Sequence, residues 1–93
     1  MNEIAAQVNA LKVFPNPACG VVGVNIELVH EASLEITIYD AMARRLKIIR
    51  KDFSSRGKHE MKIADAGEFL PGNYFLKVTS ADGKYSSCRF TVE

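Results

Sequence analysis

Apolar residues recur at every second position through most of this chain, and that period limits its fold more than any other feature. A strand throws successive side chains to opposite faces, whereas a helix repeats every 3.6 residues. Residues 22–28, VGVNIEL, put Val22, Val24, Ile26 and Leu28 on one face. Residues 34–38, LEITI, put Leu34, Ile36 and Ile38 inward, with Glu35 and Thr37 outward. The pattern returns at Leu46 and Ile48, and at Met61 and Ile63 with Lys58, Glu60 and Lys62 outward. Residues 74–79, YFLKVT, form a β-branched and aromatic run, and residues 88–92 put Cys88, Phe90 and Val92 on one face. A short strand over residues 11–14 brings the count to seven.

Breakers separate these segments. Pro15-Asn16-Pro17 and Gly20 end the first strand, because proline fixes φ and removes a donor. His30–Ser33, Asp40–Ala43, Ser54–Gly57 and Pro71-Gly72 fall between later strands, and Asp82-Gly83 reads as a hairpin turn. Short strands with turns spaced by about 8–12 residues predict an all-β, immunoglobulin-like antiparallel β-sandwich of about seven strands. Its two sheets enclose the apolar rows.

A chain of 93 residues supports one core rather than two. The sandwich domain is expected over residues 11–93, with 1–10 as an extended linker, since a helix over 3–10 is too short to stand alone. Twelve Lys+Arg against eleven Asp+Glu give +1, which supplies no global field for nucleic acid or an anionic membrane. The first ten residues lack the basic and apolar regions of a signal peptide. That leaves a cytoplasmic chain or a segment of a larger protein.

No catalytic constellation emerges. Cys19, Cys88, Ser54-Ser55 and Ser86-Ser87 have no base placed by spacing to activate them, and His30 and His59 read as solvated turn and strand-end residues. Two cysteines and two distant histidines make no metal set, and no glycine-rich phosphate loop is present, so no cofactor is expected. Two readings of the thiols stay open. They are unpaired, with Cys88 facing the core, or they form a bridge from the first loop to the last strand. The basic cluster Arg44, Arg45, Lys47, Arg50 and Lys51 reads as a solvated strand whose charges discourage edge pairing, or as a docking patch for an acidic partner or anionic glycolipid. Nucleic acid fits it poorly, because no aromatic residues interleave with the cations.

Four segments carry a resemblance: VFPNPACG at 13–20, IYDAMARR at 38–45, FLPGNYFLKV at 69–78 and DGKYSSCRF at 82–90. In this order and spacing they resemble the type A C-terminal sorting domain of cargo exported by the bacterial type IX secretion system. The resemblance covers residues 11–92. Three positions depart from the family pattern. Ala43 stands where that family has glycine after Tyr-Asp, Phe69 where leucine is usual, and Cys19 where a small polar residue is usual. If position 43 needs a positive φ, alanine costs about 1 kcal/mol there.

The resemblance implies a non-catalytic sorting and anchoring module, with a passenger domain on its N-terminal side. Such a module folds in the periplasm and is recognised by the outer-membrane translocon. A surface sortase then cuts ahead of it and attaches the passenger to an anionic lipopolysaccharide at the cell surface. The residues it points to are Pro15, Asn16, Pro17, Gly72, Tyr74, Lys84 and Arg89, with Lys84 and Arg89 offering charge-assisted contacts. The alternative is a generic immunoglobulin- or fibronectin-like interaction module, or a carbohydrate-binding one. A glycan platform in a chain without tryptophan would have to draw on Tyr39, Tyr74 and Tyr85. An unpaired edge strand also allows a weak β-augmented homodimer.

Overall fold

The computed structural model describes residues 8–93, with the side chains of residues 9 and 16–19 outside the description. Seven strands follow in chain order: β1 (Val8–Cys19), β2 (Val21–Leu28), β3 (Ala32–Asp40), β4 (Arg45–Phe53), β5 (Gly57–Asp65), β6 (Gly72–Ser80) and β7 (Tyr85–Val92). A single 3-10 turn at Ala66–Glu68 links β5 to β6. The architecture is the expected all-β immunoglobulin-like sandwich. One sheet holds β1, β2 and β5, the other β4, β3, β6 and β7, with antiparallel pairing inside each.

Strand β1 serves both sheets. Its first half pairs with β2 from Val8 to Phe14, and Ala18 then pairs in parallel with Val92 of β7. The Pro-Asn-Pro segment, entered through a cis Phe14–Pro15 peptide, therefore carries the strand across instead of ending it. Prolines remove two donors where the chain leaves one ladder and has not yet joined the other, so no pairing is lost. The strand also reaches back to buried Val8, inside the stretch expected to be linker; residues 1–7 of that stretch lie outside the described residues. A register shift between Val8 and Ala10 changes the parity, which hid this extension from a period-2 search.

The inner rows close the core as the alternation predicts. Val22, Val24, Ile26, Ile36, Ile38, Leu76, Val78 and Phe90 are the largest fully buried side chains. Burying each contributes about 1.5–3 kcal/mol, which is the main force holding the two sheets together.

Strand β4 corrects the expected parity. Ile36 pairs with Ile49 and Ala32 with Phe53, so Ile49 and Phe53 face the core while Ile48 lies on the outer face. A register shift between Ile38 and Tyr39 takes up Leu46, which is exposed. Lys47 and Lys51 share the inner parity at this edge, and inward-pointing charge is one device that blocks edge-to-edge pairing. Thr37 points outward as expected yet is only 2% exposed, because Ile48 and Lys77 flank it on the neighbouring strands. His59 is not a solvated residue either. Its ring packs 4.8 Å from Phe53, and Nε2 lies 2.8 Å from the Ser55 carbonyl oxygen, which can only accept.

Candidate functional site

The turn from β3 to β4 is built around Asp40. Its main chain closes the turn, with Ala43 N–H donating to Asp40 O at 2.9 Å and Asp40 N–H to Arg44 O at 3.0 Å. Its carboxylate fills the inside: Oδ1 accepts from Met42 N–H and Arg44 N–H, each at 2.9 Å, and Oδ2 accepts from Arg44 Nε at 2.7 Å. The Arg44 amide, foremost, then the Arg44 side chain and the Met42 amide hold the Asp40 pKa below the ordinary carboxylate range. Ala43 sits at φ 63°, the left-handed conformation that the family's glycine would adopt freely. The turn therefore keeps the geometry that glycine serves, with alanine in its place.

The connection from β5 to β6 forms the facing wall. Glu68 Oε2 accepts from the Asp65 N–H at 2.8 Å, and its Oε1 lies 3.3 Å from Lys47 Nζ. The Asp65 N–H, more than Lys47, lowers the Glu68 pKa. Beyond it the chain turns through Leu70, Pro71 and Gly72, the last at φ +155°. Tyr74 then enters the core. Its hydroxyl donates to the Leu70 carbonyl, and its ring lies 5.2 Å from Phe69 and 5.6 Å from Phe90. A tyrosine at the start of the sixth strand, bonded to the backbone just upstream, is the tyrosine corner of immunoglobulin-type sandwiches. It satisfies the hydroxyl and fixes the corner at once.

Asp40 pairs with Tyr74 across β3 and β6, so the two walls meet. Between them lies an open cleft of about 340 Å³, bordered by Asp40, Arg44, Lys47, Glu68, Phe69 and Leu70. Leu70 stands 81% exposed at its lip, and Met42 75% exposed on the turn. The first loop arrives at the same end. Gly20 O accepts from Ala66 N–H at 2.6 Å, and Ala18, Val92 and Gly72 stand in one row. Segments 13–20, 38–45 and 69–78, far apart in the chain, thus converge on one end of the sandwich.

The family model described as secretion system C-terminal sorting domain matches residues 12–93. The chain belongs to that family. Its members carry the C-terminal sorting signal of type IX secretion and are parts of proteins exported to the cell surface or extracellular space. A search of the curated proteins finds no match.

The structure gathers some of the sequence-predicted residues of this sorting domain and scatters others. Gly72 and Tyr74 stand at the end just described, and exposed Pro15 lies on the segment leading to it. The side chains of Asn16 and Pro17 lie outside the described residues. Lys84 sits in the β6–β7 hairpin at the opposite end, where its N–H donates to Asp82 Oδ1 at 3.1 Å. Arg89 is exposed midway along β7, facing Phe75 across the ladder. Cys88 is a free, half-buried thiol whose pKa burial pushes up; the side chain of Cys19 is outside the description. Among the described residues, no three of His, Cys, Asp or Glu are grouped to hold a metal ion.

Sequence reasoning missed Phe14 and the outer face of the four-stranded sheet. A Cβ built on Gly23 would lie 2.6 Å from Phe14 Cζ, so the ring lies over that glycine. The sequence signal was a lone glycine inside β2, whose partner, Phe14, only the strand register shows.

Proposed function

We propose that this sorting domain is a non-catalytic module read as a folded surface by the outer-membrane translocon, after the passenger and the domain reach the periplasm. The surface is the end where the Asp40–Arg44 turn, the Phe69–Tyr74 corner and the first loop meet. The observation that carries this reading is that convergence: three of the four family segments share one end although 20 or more residues separate their starts along the chain. Fold maintenance accounts for Tyr74 and Asp40. It leaves without a purpose the 81% exposed Leu70 and the 75% exposed Met42 beside the Arg44 and Lys47 cations.

In this reading Arg44 and Lys47 offer the charged contacts and Leu70 and Met42 the apolar ones, while Pro15, Asn16 and Pro17 carry β1 toward this end and Gly72 shapes its corner. Arg89 borders this end, sharing a hollow with Ala41 and Asn73, whereas Lys84 in the opposite hairpin would meet another part of the machinery. A sortase then cuts ahead of the domain, in or before residues 1–7, and transfers the passenger to a cell-surface lipopolysaccharide.

Fusing residues 1–93 behind a periplasmic reporter in a type IX-competent strain tests the proposal. Reporter at the cell surface, lost when the domain is deleted, is the expected result. Delivery that persists without the domain would overturn it.

A further inference from the structure

Strand pairing assembles, on the outer face of the four-stranded sheet, a row that no stretch of sequence shows. Tyr39 pairs with Arg45 on one side and Phe75 on the other, and Phe75 pairs with Arg89. The row thus reads cation, ring, ring, cation across four strands about 4.8 Å apart. One step away, Lys77 Nζ lies 4.4 Å above the Tyr85 ring. Phe75 and Tyr85 are 38% and 37% exposed, unusual for rings on a sheet that already has a filled core beneath it. In the sequence, the cation cluster at 44–51 has no interleaved aromatic residue. Pairing across strands reverses that.

Charge on this face is one-sided around the rings. Among the described residues, no ion pair engages Arg45, Lys77 or Arg89. The outward carboxylates of β3 and β4, Glu35 and Asp52, lie toward the other end of the face, and Glu35 is held by Arg50 at 3.1 Å; exposed Glu93 follows two residues after Thr91, just past β7. Beside Phe75 and Arg89 the surface dips into an open hollow of about 540 Å³, where Asn73 and Thr91 form the rim and Thr91 Oγ1 lies 3.3 Å from Asn73 Oδ1.

We propose that this face binds an acidic polysaccharide, with sugar rings lying on Phe75 and Tyr39 and their carboxylates against Arg89 and Arg45. Flat rings offer stacking to the C–H faces of a sugar, and arginine forks match carboxylates. The Asn73 amide and Thr91 hydroxyl at the hollow suit a ligand dense in hydroxyl groups. A protein partner fits less well, because the centre of a protein interface is depleted in charge, whereas cations here bracket the rings at the centre. The site adjoins the sorting end, since Ala41 of the turn and Asn73 of the corner line the hollow, but binding there requires no translocon.

The test is calorimetric titration of the 93-residue chain with polygalacturonate, beside neutral dextran, polyglutamate and an oligothymidine strand. Polygalacturonate is expected to bind, weakening as salt rises, with dextran silent and polyglutamate at least about tenfold weaker. Phe75→Ala and Arg89→Gln should each weaken polygalacturonate about tenfold, while Lys62→Gln on the other sheet changes nothing. Both altered side chains are exposed, and circular dichroism confirms the fold. Polyglutamate or oligothymidine binding as tightly as polygalacturonate would overturn the proposal. So would indifference of polygalacturonate to both substitutions. Reporter export is a separate readout, so failure here leaves the sorting reading untouched.

Discussion

Two hairpin turns at opposite ends of the sandwich share one backbone design and solve it with different residues. In the β6–β7 turn, Gly83 N–H donates to Ser80 O at 3.0 Å and Ser80 N–H to Lys84 O at 2.9 Å. The β3–β4 turn repeats these bonds with Ala43, Asp40 and Arg44. The third loop residue is left-handed in both, at φ 86° for Gly83 and 63° for Ala43. Glycine adopts that conformation without steric cost; alanine does not. What differs is the acid. Asp82 accepts from the Ser80 hydroxyl and the Lys84 N–H, whereas Asp40 accepts two amides and a guanidinium. The turn under more backbone strain is held by the fuller set of charge-assisted bonds, and it is the one at the sorting end. A turn fixed from inside by its own carboxylate presents Met42 and Arg44 in one arrangement, which a recognition surface needs.

The largest effect should come from the ring beneath the strained turn. Tyr74→Ala is expected to cost about 3–5 kcal/mol in a denaturant melt, since it empties the space between Phe69 and Phe90 and frees the Leu70 carbonyl. Gly83→Val should cost about 2 kcal/mol, because a β-branched residue is forced into the left-handed region that Ala43 already endures. Ala43→Gly should go the other way and stabilise the chain by about 1 kcal/mol, read as a higher denaturation midpoint at unchanged slope. A loss from that substitution would mean that position 43 is not left-handed.

Acid gives the smallest and most informative contrast. Asp40, Glu68 and Asp82 all have pKa values below their ordinary ones, so the fold favours their charged forms. Their stabilisation is complete above the ordinary carboxylate range of about 4 and is lost as pH falls through the lower folded values. Thermal melts should drop in that window, modestly because the groups face water. Asp40→Asn and Asp82→Asn should each flatten the drop. Backbone chemical shifts should show the first loosening only the sorting end and the second only the other.

Much of this was legible in the sequence. The rows Val22–Leu28 and Leu34–Ile38 gave their faces correctly because their strands lie inside the sandwich, where one face must be greasy. Asp82-Gly83 named its turn, and Ala43 marked a strained position once set beside the family's glycine. Strand β4 was misread for a physical reason. It is an edge strand carrying lysines on its inner parity, and a register shift removes Leu46 from the alternation, so Leu46 and Ile48 only looked like a core row. The path of β1 was hidden because proline announces a break in pairing but not that pairing resumes with another partner. The Tyr39–Phe75–Arg89 row was hidden because it exists only across strands.

The central claim is that sorting reads a folded end of this domain. Its most direct test compares surface delivery of the reporter by two double variants that remove cations: exposed Arg44→Ala with half-buried Lys47→Ala at the sorting end, and exposed Lys58→Ala with exposed Lys62→Ala on β5. With both variants shown to be folded, the first should lose delivery and the second should keep it. Equal delivery by both, or delivery by an unfolded peptide of residues 69–93 alone, would contradict the claim.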